Sequence, residues 1–234
     1  MGEEGTRQGG ADVPDPARPL WRVGWHGDPL GFAPTPQWNH RFDDARRRFR
    51  TVYCAALAET ALRELLADYR PNTAAIAEFL DIFGPEAADD LPAAAVTAEW
   101  RRTFVLAPVH FRLTGPIVDL TDHETVHALE QRHAPTLREH GLAHLDLHEI
   151  TTRRRVVTQA IATDVHDRLG AAAIRFPSSR DGLPCFAVFE GRGRLVAVGP
   201  PTPLTDPAPP ELVTVCAEWG LALEPAPPPG FAEP

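Results

Sequence analysis

The chain has 234 residues, is 43% hydrophobic and 24% charged, and carries a formal net charge of −9 at pH 7. That length and composition suit a soluble globular chain with a real core. The acidic balance argues against direct nucleic-acid binding, which rests on neutralising phosphates. No apolar run approaches the ~18 residues that a membrane span needs. Three cysteines, Cys54, Cys185 and Cys216, lie far apart with no C-x-x-C pair, so a reducing compartment is expected and a disulfide framework is not. All 23 basic residues are arginine, which removes lysine Schiff bases and the P-loop lysine. Ser178 and Ser179 are the only serines and form no G-x-S-x-G elbow, which argues against an α/β-hydrolase.

Residues 1–18 are acidic and rich in proline and glycine, with no apolar signal region, and are expected to be a disordered leader of a cytoplasmic protein. "PLWRVGW" (19–25) alternates like a short strand, and a turn-rich loop follows it. "RTVYCAAL" (50–57) predicts a strand with Tyr53 near its middle. "AETALRELLADY" (58–69) has helical spacing, and "NTAAIAEFLDIF" (72–83) predicts a second helix capped by Asn72 or Thr73. After a linker, 99–111 predicts one strand or two, and 115–120 another. A helix capped by Thr121 or Asp122 is expected to run to about His133, with Pro135 opening the next turn. A long helix is expected over 149–170, stopped by Gly170. The end of the chain reads as strand, serine loop, strand, a "GRGR" hairpin, strand, helix and a last strand, with a loose tail over 227–234. Strands cluster late in this mixed order, so the expected class is α+β, with one domain over 19–226.

"HETVHALEQRH" (123–133) contains H-E-x-x-H, the spelling of a zinc peptidase. On a helix His123 and His127 are about 40° apart and could share a metal, with Glu124 as general base. His133 would lie about 120° from His127. The zinc-peptidase clan with a third histidine at this spacing breaks the helix with a glycine and has a methionine turn downstream. Here Glu130 stands at the glycine position and Met1 is the only methionine. The expectation is a solvated helix face with no metal. His140, His144 and His148 read the same way, and "RRR" (153–155) reads as a solvated charge run.

A different set of residues spans more of the chain: Arg22, Arg41 in "NHRFDD", Tyr53 in "TVYCA", Glu64 in "ETALRELL" and Ser178 in "IRFPSSR". Taken one at a time, Tyr53 could be a core aromatic, Arg41 an exposed loop residue and Glu64 a solvated helix residue; Glu59 and Ser179 compete with Glu64 and Ser178. Together the blocks "LWRVG", "RFDDARRRFRTVYCAALAETALRELL" and "TQAIATDVHDRLGAAAIRFPSSRDGLPCFAVFE" resemble the RES family, over roughly residues 19–195. The resemblance selects Glu64, eleven residues after the tyrosine, and Ser178 in "FPS". His40 departs from it, standing where the family often has glycine. So does the distance from Glu64 to Ser178, which leaves residues 72–150 as a helical insert.

The resemblance implies a fold similar to ADP-ribosyltransferases. It also implies an NAD-consuming toxin of a toxin–antitoxin pair, which cleaves NAD by phosphorolysis or hydrolysis or modifies a protein, with a helix-turn-helix antitoxin as partner. Glu64, Arg41 and Ser178 would then be catalytic. Arg22, Arg41, Tyr53 and Ser178 would bind NAD as substrate, with phosphate as a further reactant and no metal. The residue types suit that chemistry. A carboxylate stabilises an oxocarbenium-like ribose, arginine forks hold a pyrophosphate, and an aromatic ring offers nicotinamide a surface. The alternatives are a non-catalytic NAD- or partner-binding protein on the same scaffold, and a zinc hydrolase through His123, Glu124 and His127.

Overall fold

The strand-forming stretches pair into one mostly antiparallel sheet in the computed structural model, which describes residues 18–151 and 154–228. The expected leader, apart from Arg18, and most of the expected tail lie outside the described residues. In chain order the elements are β1 (Leu20–Trp25), β2 (Thr51–Ala55), α1 (Ala58–Leu66), α2 (Thr73–Phe83), β3 (Ala95–Val96), α3 (Ala98–Thr103), β4 (Phe104–Leu113) and β5 (Ile117–Asp119). There follow α4 (His123–Glu139), α5 (Leu147–Thr151), α6 (Arg155–Leu169), β6 (Ala173–Pro177), β7 (Pro184–Phe189), β8 (Gly193–Ala197), β9 (Thr202–Pro203), α7 (Pro210–Trp219) and β10 (Ala222–Leu223). The sheet order is β5-β6-β7-β2-β1-β4-β8, with β9 also on β4. In this sheet β5 and β6 run parallel and the other pairs antiparallel, while β3 and β10 form a small parallel pair of their own. The class is α+β, as expected.

Strand alternation divides the side chains between two cores. From β1 and β2, Trp21, Val23, Tyr53 and Ala55 face the larger core, against Leu62 and Leu66 of α1, Ile161 and Val165 of α6, and Leu212 and Val215 of α7. Leu20, Val52 and Cys54 face the smaller core, with Val109, Phe186 and Leu195. A β carbon added at Gly193 of β8 would meet Val188 of β7 at 2.5 Å, so only glycine lets the two strands approach there.

Several expected elements change in the tertiary setting. The "GRGR" hairpin does not form as a paired hairpin: β8 leaves β7 by a turn and pairs with β4 instead. The expected helical insert, 72–150, holds the strands foreseen over 99–111 and 115–120 as β4 and β5, and the tertiary setting joins both to the main sheet. Residues 98–103 form α3 rather than strand, because Thr97 caps the Trp100 amide at 3.2 Å. Helix α4 continues through Pro135 to Glu139. Proline removes one helical hydrogen bond, and burial of Leu129, His133 and Leu137 offsets that loss. The long helix expected over 149–170 is two helices, with Arg154 in a non-helical conformation before α6. Gly170 ends α6 in the left-handed conformation, φ 64°, as its sequence position suggests. Among the described residues no helix is long and apolar enough to cross a membrane.

Candidate active site

Helix α1 buries Ala58, Ala61, Leu62 and Leu66 on one stripe. Thr60, Arg63 and Glu64, three and four residues apart, lie on another side and share a direction. That direction is the loop after β6. Ser178 Oγ donates to Glu64 Oε1 at 2.6 Å, and the Ser179 backbone N–H donates to the same oxygen at 3.2 Å. The Ser178 hydroxyl also accepts from the Arg180 N–H at 3.0 Å. Ser178 is buried and Ser179 exposed, so the side chain that orients the carboxylate is Ser178.

The same loop is anchored a second time on α1. Asp181 Oδ2 accepts from Thr60 Oγ1 at 2.8 Å and from Arg63 Nη1 at 3.0 Å, while Asp181 Oδ1 accepts from the Leu183 N–H at 3.1 Å. Arg63 in turn reaches Glu218 of α7 at 2.8 Å. Gly182, with φ 74°, supplies the left-handed residue that this tight loop requires. Nothing in the local pattern marks Thr60 or Asp181, because their roles arise only when the loop meets the helix.

Arg41 comes from the loop between β1 and β2. Phe42 beside it is fully buried, and its ring packs on Phe176 at 4.8 Å. The Arg41 guanidinium lies over the same Phe176 ring at 5.9 Å and donates to the Ile150 carbonyl through Nη1. Its pKa is lowered by burial; the charge of Glu64 acts the other way, and that of Arg155 adds to the lowering. Tyr53 stands next to it on β2. The Phe42 N–H donates to the Tyr53 hydroxyl at 3.0 Å, and the Tyr53 ring meets Phe176 edge-on. Burial, aided by Asp43, pushes the phenol pKa up, so the hydroxyl stays protonated.

Arg41, Tyr53, Glu64 and Ser178 therefore gather on the larger-core side of the sheet. Arg22 does not join them. Alternation along β1 puts it on the other face with Leu20, and its three nitrogens donate to the carbonyls of Pro29 at 2.9 Å, Tyr53 at 2.9 Å and Gly31 at 3.2 Å. Burial lowers its pKa to about 10. Arg22 ties the loop after β1 to the back of β2, beneath the tyrosine. Arg155, by contrast, stands at the start of α6 close enough for its charge to act on both Arg41 and Tyr53. It belongs to the arginine run that reads in the sequence as a solvated face; Arg153 lies outside the described residues.

The histidines do not converge. His123, Glu124 and His127 are exposed on α4, whereas His133 is buried and faces Asp164 of α6 at 3.4 Å. Among the described residues no group of three or more His, Cys, Asp or Glu side chains could hold a metal ion. All three cysteines are free and buried, and burial raises their pKa values, to about 12 for Cys54 and about 11 for Cys216. None is a ready thiolate.

A chain of the M. tuberculosis MbcT–MbcA toxin–antitoxin complex is similar in structure, with a TM-score of 0.45 and 16% sequence identity over 76% of this chain and 81% of that one. No curated protein matches the sequence. The sequence model of the RES domain matches residues 19–207, a span that includes β1 to β9 and all four gathered side chains. The chain belongs to the RES-domain family.

Proposed function

We propose that this protein is an NAD-consuming enzyme that cleaves the bond between nicotinamide and ribose, and that it acts as the toxin of a toxin–antitoxin pair. The observation that carries the reading is the fixed carboxylate: Glu64 Oε1 accepts from both Ser178 Oγ and the Ser179 N–H. With Oε1 held, Oε2 is the atom for a ribose hydroxyl and for the positive charge that develops as nicotinamide leaves with the bonding electrons. Arg41 and Arg155 are the cations for the pyrophosphate, and Arg22 supports Tyr53 from behind instead. The Tyr53 ring offers the nicotinamide a flat surface. Phosphate or water then attacks the ribose carbon, giving phosphorolysis or hydrolysis; a protein acceptor would make it a transferase. The expected partner is a helix-turn-helix antitoxin that blocks this site.

The test is NAD consumption by purified wild type and Glu64→Ala, with and without phosphate, in the presence of a chelator. Turnover should survive the chelator and fall roughly a hundredfold or more in the variant, and its dependence on phosphate identifies the acceptor. A wild type that binds NAD without releasing nicotinamide sinks the enzyme reading and leaves a binding protein on the same scaffold.

A further inference from the structure

Helix α2 is well formed and stands apart from both cores, packed mainly on the turn that follows it. Asn72 Oδ1 caps it by accepting from the Ala75 N–H at 3.2 Å, and at its end Gly84, φ 87°, donates its N–H to the Leu80 carbonyl at 2.9 Å. Its apolar residues Ile76, Phe79, Leu80 and Phe83 recur at i, i+3, i+4 and i+7, the stripe by which a helix faces a core. Yet none of its residues is buried, and none belongs to either hydrophobic core. Ile82 and Phe83 are 66% and 59% exposed, and the Phe79 and Phe83 rings pack on each other at 4.8 Å. Ile76, Phe79 and Leu80 are half-buried, so the apolar surface left open lies at the C-terminal end of the helix. A helix this short draws most of its stability from packing, and that open end calls for a partner.

Charge narrows the choice of partner. Residues 71–91 carry Glu78, Asp81, Glu86, Asp89 and Asp90, all exposed, and no arginine, lysine or histidine. None of the five makes an ion pair among the described residues. A second copy laid on the same face would set these carboxylates against their own kind, and an anionic lipid surface would repel them. We propose that α2 and the turn after it form a docking surface for a cationic amphipathic helix of a partner protein. Its apolar side chains would pack on the stripe, and its arginines or lysines would flank it against the five carboxylates. This surface does not depend on what the site at Glu64 does.

The test titrates the full chain with a labelled Leu/Lys amphipathic peptide of about fifteen residues, and with a Leu/Glu peptide of the same pattern. The Leu/Lys peptide should bind, more weakly at high salt, and should protect amides only within 72–91; the Leu/Glu peptide should not bind. Phe79→Ser with Phe83→Ser keeps the charge, and Glu78→Gln with Asp81→Asn keeps the stripe. Each pair should weaken binding about tenfold or more. Both should leave the fold intact by circular dichroism, since α2 joins neither core. Equal binding by the serine variant would overturn the proposal, reducing it to general attraction toward an acidic chain. So would a wild-type dimer in light scattering that the serine variant dissolves, which makes the occupant a second copy. Adsorption to phosphatidylcholine vesicles that the serine variant abolishes would make it lipid and overturn the proposal as well.

Discussion

Tyr53 carries two separable duties. Its ring faces Phe176 and the Arg41 side of the site, while its hydroxyl accepts the Phe42 N–H and so helps seat Arg41. Tyr53→Phe keeps the ring and leaves that buried N–H without a partner. The expected result is a loss of about 1–3 kcal/mol of stability with NAD affinity nearly retained, read by urea unfolding and by calorimetry. A large loss of affinity with unchanged stability would show that the hydroxyl contacts substrate instead.

Between elements, two carboxylates do the joining. Asp181 clamps the serine loop to Thr60 and Arg63 of α1, and under the proposed function it acts through the position of Glu64. Asp181→Ala is expected to lower kcat for NAD cleavage about tenfold with KM little changed. It should also speed amide hydrogen exchange at Ser179 and Arg180, a readout that needs no turnover. Asp44 ties the Arg41 loop to α6, accepting from Thr163 Oγ1 at 2.8 Å and from Arg48 Nε at 2.9 Å. Burial alone would raise its pKa, but the hydrogen bonds from Arg48 and Thr163 outweigh that and hold it at about 2. A folded pKa below the unfolded one gives stability that is present above the unfolded value, about 3.9, and lost as pH falls through about 2. Urea midpoints between pH 5 and pH 2 should therefore fall in the wild type and fall less in Asp44→Asn.

At the scale of the molecule, the C-terminal segment beyond the RES match is part of the same core. Leu212 and Val215 of α7 are fully buried, and α7 packs on α1. Arg101 fastens this end of the chain. Only 1% exposed, it donates to the carbonyls of Leu204 and Glu224 and pairs with Asp206. Its loss strips two carbonyls of their donor and empties a buried site, while half-exposed Asp206 turns to water, so Arg101→Ala should cost about 2–4 kcal/mol. The melting temperature should drop by an amount on the order of 10 °C.

Local signals in the sequence decided much of this. Alternation placed β1 and β2 and put Tyr53 mid-strand. Helical spacing placed α1 and α2, Asn72 or Thr73 marked a cap that the structure assigns to Asn72, and Gly170 marked a stop. The family pattern across three blocks singled out Arg22, Arg41, Tyr53, Glu64 and Ser178, residues that look ordinary one by one, and the fold gathers all but Arg22. Other features depended on partners far away in sequence. The face on which Arg22 points follows from β1 lying between β2 and β4, and pairing of that range leaves no signature in a single strand. The path of β8 to β4, the run of α4 through Pro135 and the clamp of Asp181 on α1 share that cause. Backbone propensity and spacing act over a few residues and can be read along the chain. Burial, register and charge proximity act across the fold, and only the folded chain assigns them.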